Sequence, residues 1–191
     1  MLSYQHIYHA GNLADVQKHA LLSWTLDYLI QKDKPLSYIE THAGRGLYDL
    51  GADEAIKTGE AEAGIAVAEA LFPKLHPYLN RLNEVRASYG PLAYPGSPLI
   101  AALSLRDQDT IHLAELHPQE QQHLRHAMNP WDAHIYQRDG FETAIALTPP
   151  SPGAPRPQDA EAGRQTLDAL FGGPSARSGV ELLRFGPLFQ S

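Results

Sequence analysis

The sequence predicts an α/β fold in which short parallel strands alternate with helices. Three short apolar segments each lead into a turn that carries Gly, Asp or Glu, and helical segments precede or separate them. The length of 191 residues, with 43% apolar and 19% charged content, suits one soluble domain with an insertion. A chain of this size can bury a substantial hydrophobic core.

Composition and charge exclude several classes of protein. The formal net charge is −7, from 15 basic and 22 acidic residues, which excludes a generally basic protein that coats nucleic acid. The chain has no cysteine, which excludes disulfides, thiolate zinc sites and Cys nucleophiles. The N-terminus is polar, and no apolar segment approaches the roughly 18 residues that span a bilayer. We expect a cytoplasmic monomer with no membrane partner.

The first long element is a helix predicted over 13–30, with Asn12 as its N-cap. Its core-facing stripe is predicted to be Val16, Ala20, Leu21, Trp24, Tyr28 and Leu29. A strand is predicted over 36–41, and it leads directly into the turn 42–46, His-Ala-Gly-Arg-Gly.

The segment between Gly51 and Asp107 is too long for a simple strand-to-strand crossover, which needs only one helix. We interpret about 52–93 as a small helical insertion. The predicted elements in order are helices near 60–71, 79–88 and 99–105, a strand over 110–114 ending at Glu115, a helix over 119–128 and a strand over 134–137 ending at Asp139-Gly140.

The polar residues at the three strand ends predict one ligand site. In an open α/β sheet, ligands bind outside the carboxyl ends of the strands. Gly44 and Gly46 permit a tight turn and close approach of a ligand to the backbone. Glu115 is placed to accept hydrogen bonds from two ribose hydroxyls, and Asp139 to bind an amino group such as that of adenine. Together they indicate a cofactor that contains a nucleoside.

Each of these features has a simpler interpretation. A Gly-x-Gly after a strand is more often an ordinary turn, and Glu115 or Asp139-Gly140 alone is typical of a solvated strand end. The third glycine of the dinucleotide fingerprint is absent, which favours a cofactor without pyrophosphate.

The histidine-rich N-terminus has three interpretations. His6, His9 and His19 could ligate a metal, although no carboxylate cluster accompanies them. Alternatively, they belong to a polar lid strand and a capped helix in which they bind backbone groups, the interpretation we favour. In the third, Lys18 and His19 lie on a helix face that covers the cofactor. We therefore assign no metal site, and we place His112 and His117 as structural or surface residues.

Five sequence segments together resemble the RlmJ-type bacterial methyltransferases, also called YhiR. The segments are MLSYQHIYHAGNLADVQKH, THAGRGLYDLG, YPGSPLIA, AELHP and RDGF, which are spread over residues 1 to about 150. The resemblance implies a Rossmann-like methyltransferase fold with a small helical subdomain, of which this sequence carries the N-terminal part. It also implies transfer of a methyl group from S-adenosylmethionine to N6 of one adenine in 23S rRNA, with protein-free RNA as the substrate.

The resemblance implies a cofactor site composed of His19, His42, Ser97, Glu115, Asp139 and Gly140. It places Tyr4 near the RNA substrate, and we assign Lys18 to the same side. His42 and Ser97 come from the resemblance alone, whereas Glu115 and Asp139 agree with the strand-end argument.

The catalytic motif of adenine-N6 methyltransferases, Asp-Pro-Pro-Tyr, does not occur in this sequence. Its acceptor groups bind the amine hydrogens while N6 attacks the methyl group, and its aromatic ring stacks on the base. The segment 148–151, Thr-Pro-Pro-Ser, lacks both the carboxylate and the ring. Too few positions separate it from Asp139 for a helix and a buried strand. We therefore assign no catalytic residue and expect impaired activity.

The composition changes abruptly after residue 150. Gly, Pro, Ala, Ser and Arg fill 24 of the 41 positions from 151 to 191, and this predicts a low-complexity, poorly ordered tail with at most a short helix over 160–171. We interpret the tail as the product of a reading-frame shift in a GC-rich gene, with a divergent family member as the alternative. Without later strands, the first strand keeps a bare edge, so we expect marginal stability or aggregation.

Two further functions stay open from the sequence. One is a non-catalytic module that binds nucleic acid or nucleotides and retains only the cofactor side. The other is a His-rich metal hydrolase, suggested by the involvement of some family members in use of external DNA.

Overall fold

The computed structural model describes residues 5–148, so Tyr4 and the predicted tail lie outside the described residues. Two short 3-10 turns, His6–Tyr8 and Glu69–Leu71, accompany the regular elements. The strands are β1 (Ser37–Glu40), β2 (Leu47–Asp49), β3 (Ala93–Pro95), β4 (Thr110–Ala114) and β5 (Ala133–Tyr136). The helices are α1 (Leu13–Leu29), α2 (Asp53–Thr58), α3 (Glu60–Ala63), α4 (Ile65–Ala68), α5 (Pro77–Tyr89), α6 (Ser97–Ser104), α7 (Pro118–Ala127) and α8 (Gly140–Leu147).

The centre of the fold is a parallel sheet with strand order β1-β4-β5. Tyr38 pairs with Ile111, and Leu113 pairs with Ile135, so the three strands end side by side. This arrangement confirms the predicted α/β fold. Among residues 5–148, β1 pairs on one side only. The antiparallel pair β2–β3, which encloses the helices from α2 to α5, was not predicted.

The first helix begins as predicted, because the Asn12 side chain accepts a hydrogen bond from the Asp15 amide at 2.9 Å. The predicted core face of α1 is correct for Val16 and Ala20, which are buried, but wrong for Leu21, Trp24 and Tyr28, which are exposed by 46–58%. The face that packs toward α5 and α6 is buried and includes the polar residues Asp15, His19 and Ser23. Hydrogen bonds offset the cost of burying these polar groups. The spacing of apolar residues along the sequence does not reveal such hydrogen bonds, so it cannot identify this face as buried.

The predicted helix over 60–71 is three pieces, α3, α4 and a 3-10 turn. A break occurs at Gly64, where a Cβ atom would lie 2.1 Å from the carbonyl oxygen of Gly11. The next amide, Ile65 N, donates to that same carbonyl at 2.8 Å. The helix is therefore interrupted where the start of α4 packs against the residues that precede α1.

The main hydrophobic core joins side chains of the parallel sheet, of α1 and of the helices from α4 to α7. Its largest fully buried apolar side chains are Tyr78, Tyr94, Ile7, Ile65, Leu82, Ile100, Leu113, Leu124 and Met128. Leu99 belongs to a smaller cluster with Val85 and Ala93. Burial of such side chains removes apolar surface from water and is the main stabilising contribution. Within residues 5–148, no helix is long and apolar enough to span a membrane.

Candidate functional site

The ends of β1 and β4 are joined through the Glu115 carboxylate. Its Oε2 accepts a hydrogen bond from the Gly44 amide at 2.8 Å, and its Oε1 accepts one from the His117 amide at 2.8 Å. The Ala43 amide donates to the Ala114 carbonyl at 3.0 Å. Each carboxylate oxygen can accept a further bond, so Glu115 both fixes the turn and keeps capacity for a ligand.

The end of β5 meets the end of β1 through Gly140. A Cβ atom at Gly140 would lie 1.9 Å from the carbonyl oxygen of Thr41, so only glycine allows this approach. The rings of His42 and Phe141 meet edge to face with centroids 5.7 Å apart. The structure therefore brings His42, Glu115, Asp139 and Gly140 to one edge of the sheet.

The Asp139 carboxylate already serves the local structure. Its Oδ1 accepts hydrogen bonds from the amides of Phe141 at 2.9 Å and Glu142 at 3.1 Å, and so caps α8. Asp139 is exposed, and the second oxygen, Oδ2, is the one that remains for a ligand amino group. The sequence indicated a ligand-binding carboxylate but not the helix cap that orients it.

Positive φ angles shape the glycine turn after β1. Gly44 has φ +63° and Gly46 has φ +77°, in the region that L-residues other than glycine seldom adopt. A Cβ atom on Gly44 would also lie 2.6 Å from the Tyr48 hydroxyl oxygen. Between them, Arg45 forms a two-pronged ion pair with the buried Glu120 at 2.6 and 2.9 Å, which anchors the turn on α7.

A buried carboxyl group at the end of β1 was not among the site residues predicted from the sequence. Glu40 is 2% exposed, and its two oxygens accept hydrogen bonds from the hydroxyls of Ser97 and Tyr38. Burial raises the pKa of Glu40 to about 8, against the lowering effect of these two hydrogen bonds. The available signal was an acid at the end of an otherwise apolar strand. Ser97 itself is 5% exposed, so its hydroxyl belongs to this interior group.

Two of the predicted site residues, Lys18 and His19, lie on α1. The Lys18 ammonium is 3.1 Å from Asp15 Oδ1 and lowers the pKa of Glu40 electrostatically. His19 is 4% exposed, and its Nδ1 is 3.1 Å from the Tyr94 hydroxyl. Burial lowers the pKa of His19 to about 4, so it is neutral at pH 7.

The three histidines of the metal alternative have three different partners. His6 Nε2 is 2.7 Å from Asp15 Oδ2, His9 Nδ1 is 2.8 Å from Glu60 Oε1, and His19 contacts Tyr94. Among residues 5–148, no group of three or more potential ligands is arranged to hold a metal ion. The partners are side chains rather than backbone groups, and the predicted lid strand is a 3-10 turn at residues 6–8.

One buried atom at the strand ends has no hydrogen-bond partner within the part of the chain that the structure describes. It is Nδ1 of His117, which follows β4 and whose amide binds Glu115. A buried polar atom without a hydrogen-bond partner lowers the stability of the fold, and such atoms ordinarily bind a ligand or an ordered water. The strand ends thus hold acceptor carboxylates and an unsatisfied imidazole nitrogen next to a glycine turn.

Comparisons with known proteins identify the family of this chain. The family model described as ribosomal RNA large subunit methyltransferase D, RlmJ, matches residues 33–154. A curated relative from Escherichia coli K12, ribosomal RNA large subunit methyltransferase J, is 44% identical over 154 residues, which is 78% of this chain and 55% of the relative. The relative of the same name from Haemophilus influenzae is 39% identical over 156 residues, with the same coverage.

A solved structure shows the same fold. The crystal structure of a Legionella pneumophila protein of family DUF519 superposes with a TM-score of 0.64 at 33% identity, and the match covers 87% of this chain and 66% of that one. The chain spans about half the length of the two curated relatives. The family model matches more than half of the 191 residues. The chain therefore belongs to the RlmJ family of ribosomal RNA large subunit methyltransferases.

Proposed function

We propose that this chain is the cofactor-binding part of an S-adenosylmethionine-dependent methyltransferase that acts on ribosomal RNA. The observation that carries the proposal is the meeting of three strand ends. Glu115 bonds to the Gly44 amide, and Gly140 packs against the carbonyl of Thr41. A ligand at this edge of the sheet would contact all three strand ends at once.

The residues present fit a nucleoside with a positively charged tail. The remaining acceptor positions of Glu115 suit a ribose diol, and Asp139 Oδ2 suits an amino group. The glycine turn admits close approach of a ligand to the backbone. His42 is exposed at the end of β1, whereas Ser97 and His19 are buried, and we assign all three to the same site. When bound, S-adenosylmethionine supplies an electrophilic methyl group on a sulfonium ion.

The finer substrate, N6 of one adenine in protein-free 23S rRNA, is proposed from the family resemblance. The two curated relatives are named as large-subunit rRNA methyltransferases, which supports an rRNA substrate. Tyr4 and Lys18 are assigned to the substrate side. Since this sequence contains no Asp-Pro-Pro-Tyr, we expect the 191-residue chain not to methylate adenine. We also expect it to bind the methyl donor weakly, because β1 pairs on one side only among residues 5–148 and the crevice at the strand ends therefore lacks one wall.

Calorimetric titration of the 191-residue chain with S-adenosylmethionine tests the cofactor assignment. We expect binding weaker than micromolar that the substitution Glu115→Gln weakens further, because an amide offers one acceptor oxygen instead of two. Glu62→Gln, at an exposed position in α3, is the matched control and should not change the affinity. An unchanged affinity in Glu115→Gln contradicts the assigned site, and micromolar or tighter binding contradicts the expected weakness.

A methyl-transfer assay with an unmodified rRNA hairpin tests the expected impairment of activity. Cofactor binding without transfer is the result we expect of this chain, and it would equally suit a non-catalytic binding module. Transfer of labelled methyl by the chain alone would contradict the expected impairment. Metal analysis of the purified protein tests the metal-hydrolase alternative, which predicts a bound metal ion in stoichiometric amount.

A further inference from the structure

Glu40 and Ser97 form a closed hydrogen-bonded unit beneath the strand ends. Glu40 is the last residue of β1, Ser97 is the first residue of α6, and each is at most 5% exposed. The Ser97 hydroxyl contacts Oε1 of Glu40, while the Tyr38 hydroxyl donates to Oε2 at 2.9 Å. The Ser97 hydroxyl therefore has Glu40 as its partner whatever the protonation state of the carboxyl group.

The direction of the Ser97–Glu40 hydrogen bond depends on where the proton is. A serine hydroxyl has one hydrogen to donate and two lone pairs to accept. When Glu40 is a carboxylate, it can only accept hydrogen bonds, so Ser97 must donate its one hydroxyl hydrogen to Glu40. When Glu40 is a neutral acid, its own proton can be donated to Ser97 Oγ, and the serine hydrogen is then available to another acceptor.

The titratable groups that face Glu40 lie on three parts of the chain. Tyr38, on the same strand, contributes a neutral hydroxyl, since burial raises its pKa well above the ordinary value. Lys18, on α1, lowers the pKa of Glu40, and Glu115, after β4, raises it. Together with its burial, these groups leave the pKa of Glu40 at about 8. The neutral form is therefore the one present at pH 7.

We propose that Glu40 is a positioning residue that acts through Ser97. As a neutral acid, it frees the Ser97 hydroxyl hydrogen for an anionic group of the ligand, and as a carboxylate it withdraws that hydrogen. An ionised Glu40 also places a second negative charge near Glu115, which opposes an anionic ligand group further. The ligand class is the carboxylate-bearing methyl donor or its product, so the inference rests on the proposed function.

The test measures the affinity of S-adenosylhomocysteine for the full chain at pH 7 and pH 9, for the wild type and Glu40→Gln, by NMR titration. Glutamine reproduces the neutral acid at every pH: its amide donates to Ser97, and its carbonyl accepts from Tyr38. The ratio of the two affinities cancels titration of the ligand itself. We expect the affinity of the wild type, relative to Glu40→Gln, to fall about tenfold from pH 7 to pH 9, as proton linkage requires for a group that must be protonated.

Ser97→Ala provides the second measurement, because it removes the hydroxyl through which Glu40 acts. The affinities of Ser97→Ala and of the double variant Ser97→Ala/Glu40→Gln are compared in the same way. The ratio of these two affinities should fall by clearly less than tenfold from pH 7 to pH 9. A ratio that stays constant with pH overturns the inference while leaving the proposed function intact. Equal pH effects with and without the Ser97 hydroxyl also overturn it, since the charge alone would then act. Absence of binding by every variant at both pH values overturns the proposed function and the inference together.

Discussion

The two ends of the parallel sheet differ in how their charged side chains are bound. At the amino end, the Asp109 carboxylate and the Arg106 guanidinium bind each other and also form hydrogen bonds with backbone groups of the preceding loop. Asp109 accepts from the Leu36 amide at 2.8 Å, and Arg106 donates to the carbonyls of Ile30 at 2.8 Å and Lys32 at 2.6 Å. The charges of Arg106 and Asp109 therefore neutralise each other at this end of the sheet.

At the carboxyl end, three acidic residues lie near one another, and no arginine or lysine forms an ion pair with any of them within residues 5–148. Glu40, Glu115 and Asp139 are held by hydroxyls and backbone amides instead. The contrast appears in the pKa values: that of Asp109 is lowered to about 2, mainly by its Arg106 hydrogen bond, whereas burial raises that of Glu40 to about 8. The amino end is built for stability, and the carboxyl end keeps polar capacity for a ligand.

The largest expected effect breaks the contact between strand ends. Gly140→Ala places a Cβ atom 1.9 Å from the Thr41 carbonyl oxygen, so α8 must move away from β1. We expect the free energy of unfolding to fall by about 3 kcal/mol in urea denaturation. Gly59→Ala is the control: nothing lies within 4 Å of its Cβ, and its φ of +67° alone should cost about 1 kcal/mol. Equal losses in the two variants would show that the close approach has no energetic weight.

The second effect concerns the pH dependence that Glu40 contributes. Its pKa is raised in the folded state, so the folded chain binds more protons than the unfolded one between the ordinary pKa of 4.5 and about 8. This contribution is fully present below the ordinary value and is lost as the pH rises through about 8. Between pH 6 and pH 9, the wild type should lose roughly 2.5 kcal/mol of stability relative to Glu40→Gln. Parallel stability curves for the two proteins, measured by urea denaturation, would contradict a raised pKa.

The third effect tests the amino end. Asp109→Ala removes the acceptor of the Leu36 amide and the partner of Arg106, and should lower the free energy of unfolding by about 2 kcal/mol at pH 7. Because its pKa is lowered, Asp109 stabilises the fold above its ordinary pKa of 3.8, and this contribution is lost as the pH falls toward 2. The deficit of the variant should therefore shrink in acid. Asp107→Ala, at an exposed position two residues earlier, should change stability little at either pH.

Much of this fold could be predicted from local patterns. The strand over 110–114 matches β4, and the Asn12 cap and the placement of Glu115 beside Gly44 follow directly from residue type and topology. These features depend on short-range geometry and on the rule that parallel strands end together.

The parts that were missed depend on contacts between distant segments. The core face of α1 carries Asp15 and His19, whose partners His6 and Tyr94 are 9 and 75 positions away in sequence. Glu40 was missed for the same reason, because its hydroxyl partner Ser97 lies 57 positions further along the chain. Sequence periodicity assigns such polar residues to the surface, because it does not reveal the hydrogen-bond partners that offset the cost of burying them.

The smallest effect separates the two roles of Asp139, the helix cap and the proposed ligand contact. Asp139→Ala removes the acceptor of the Phe141 and Glu142 amides and should cost about 1 kcal/mol of stability. Asp139→Asn keeps an oxygen that can cap α8, so its stability should stay close to that of the wild type. Its side chain loses the negative charge and offers an NH₂ group where a ligand amine needs an acceptor.

The two substitutions therefore give different patterns if the strand end binds a nucleoside amine. Both should weaken binding of S-adenosylmethionine in calorimetry, whereas only Asp139→Ala should lower the unfolding midpoint. If Asp139→Asn binds the cofactor as well as the wild type does, then Asp139 serves the helix alone. In that case the carboxyl end of β5 would resemble the amino end of the sheet, where polar groups serve only the fold.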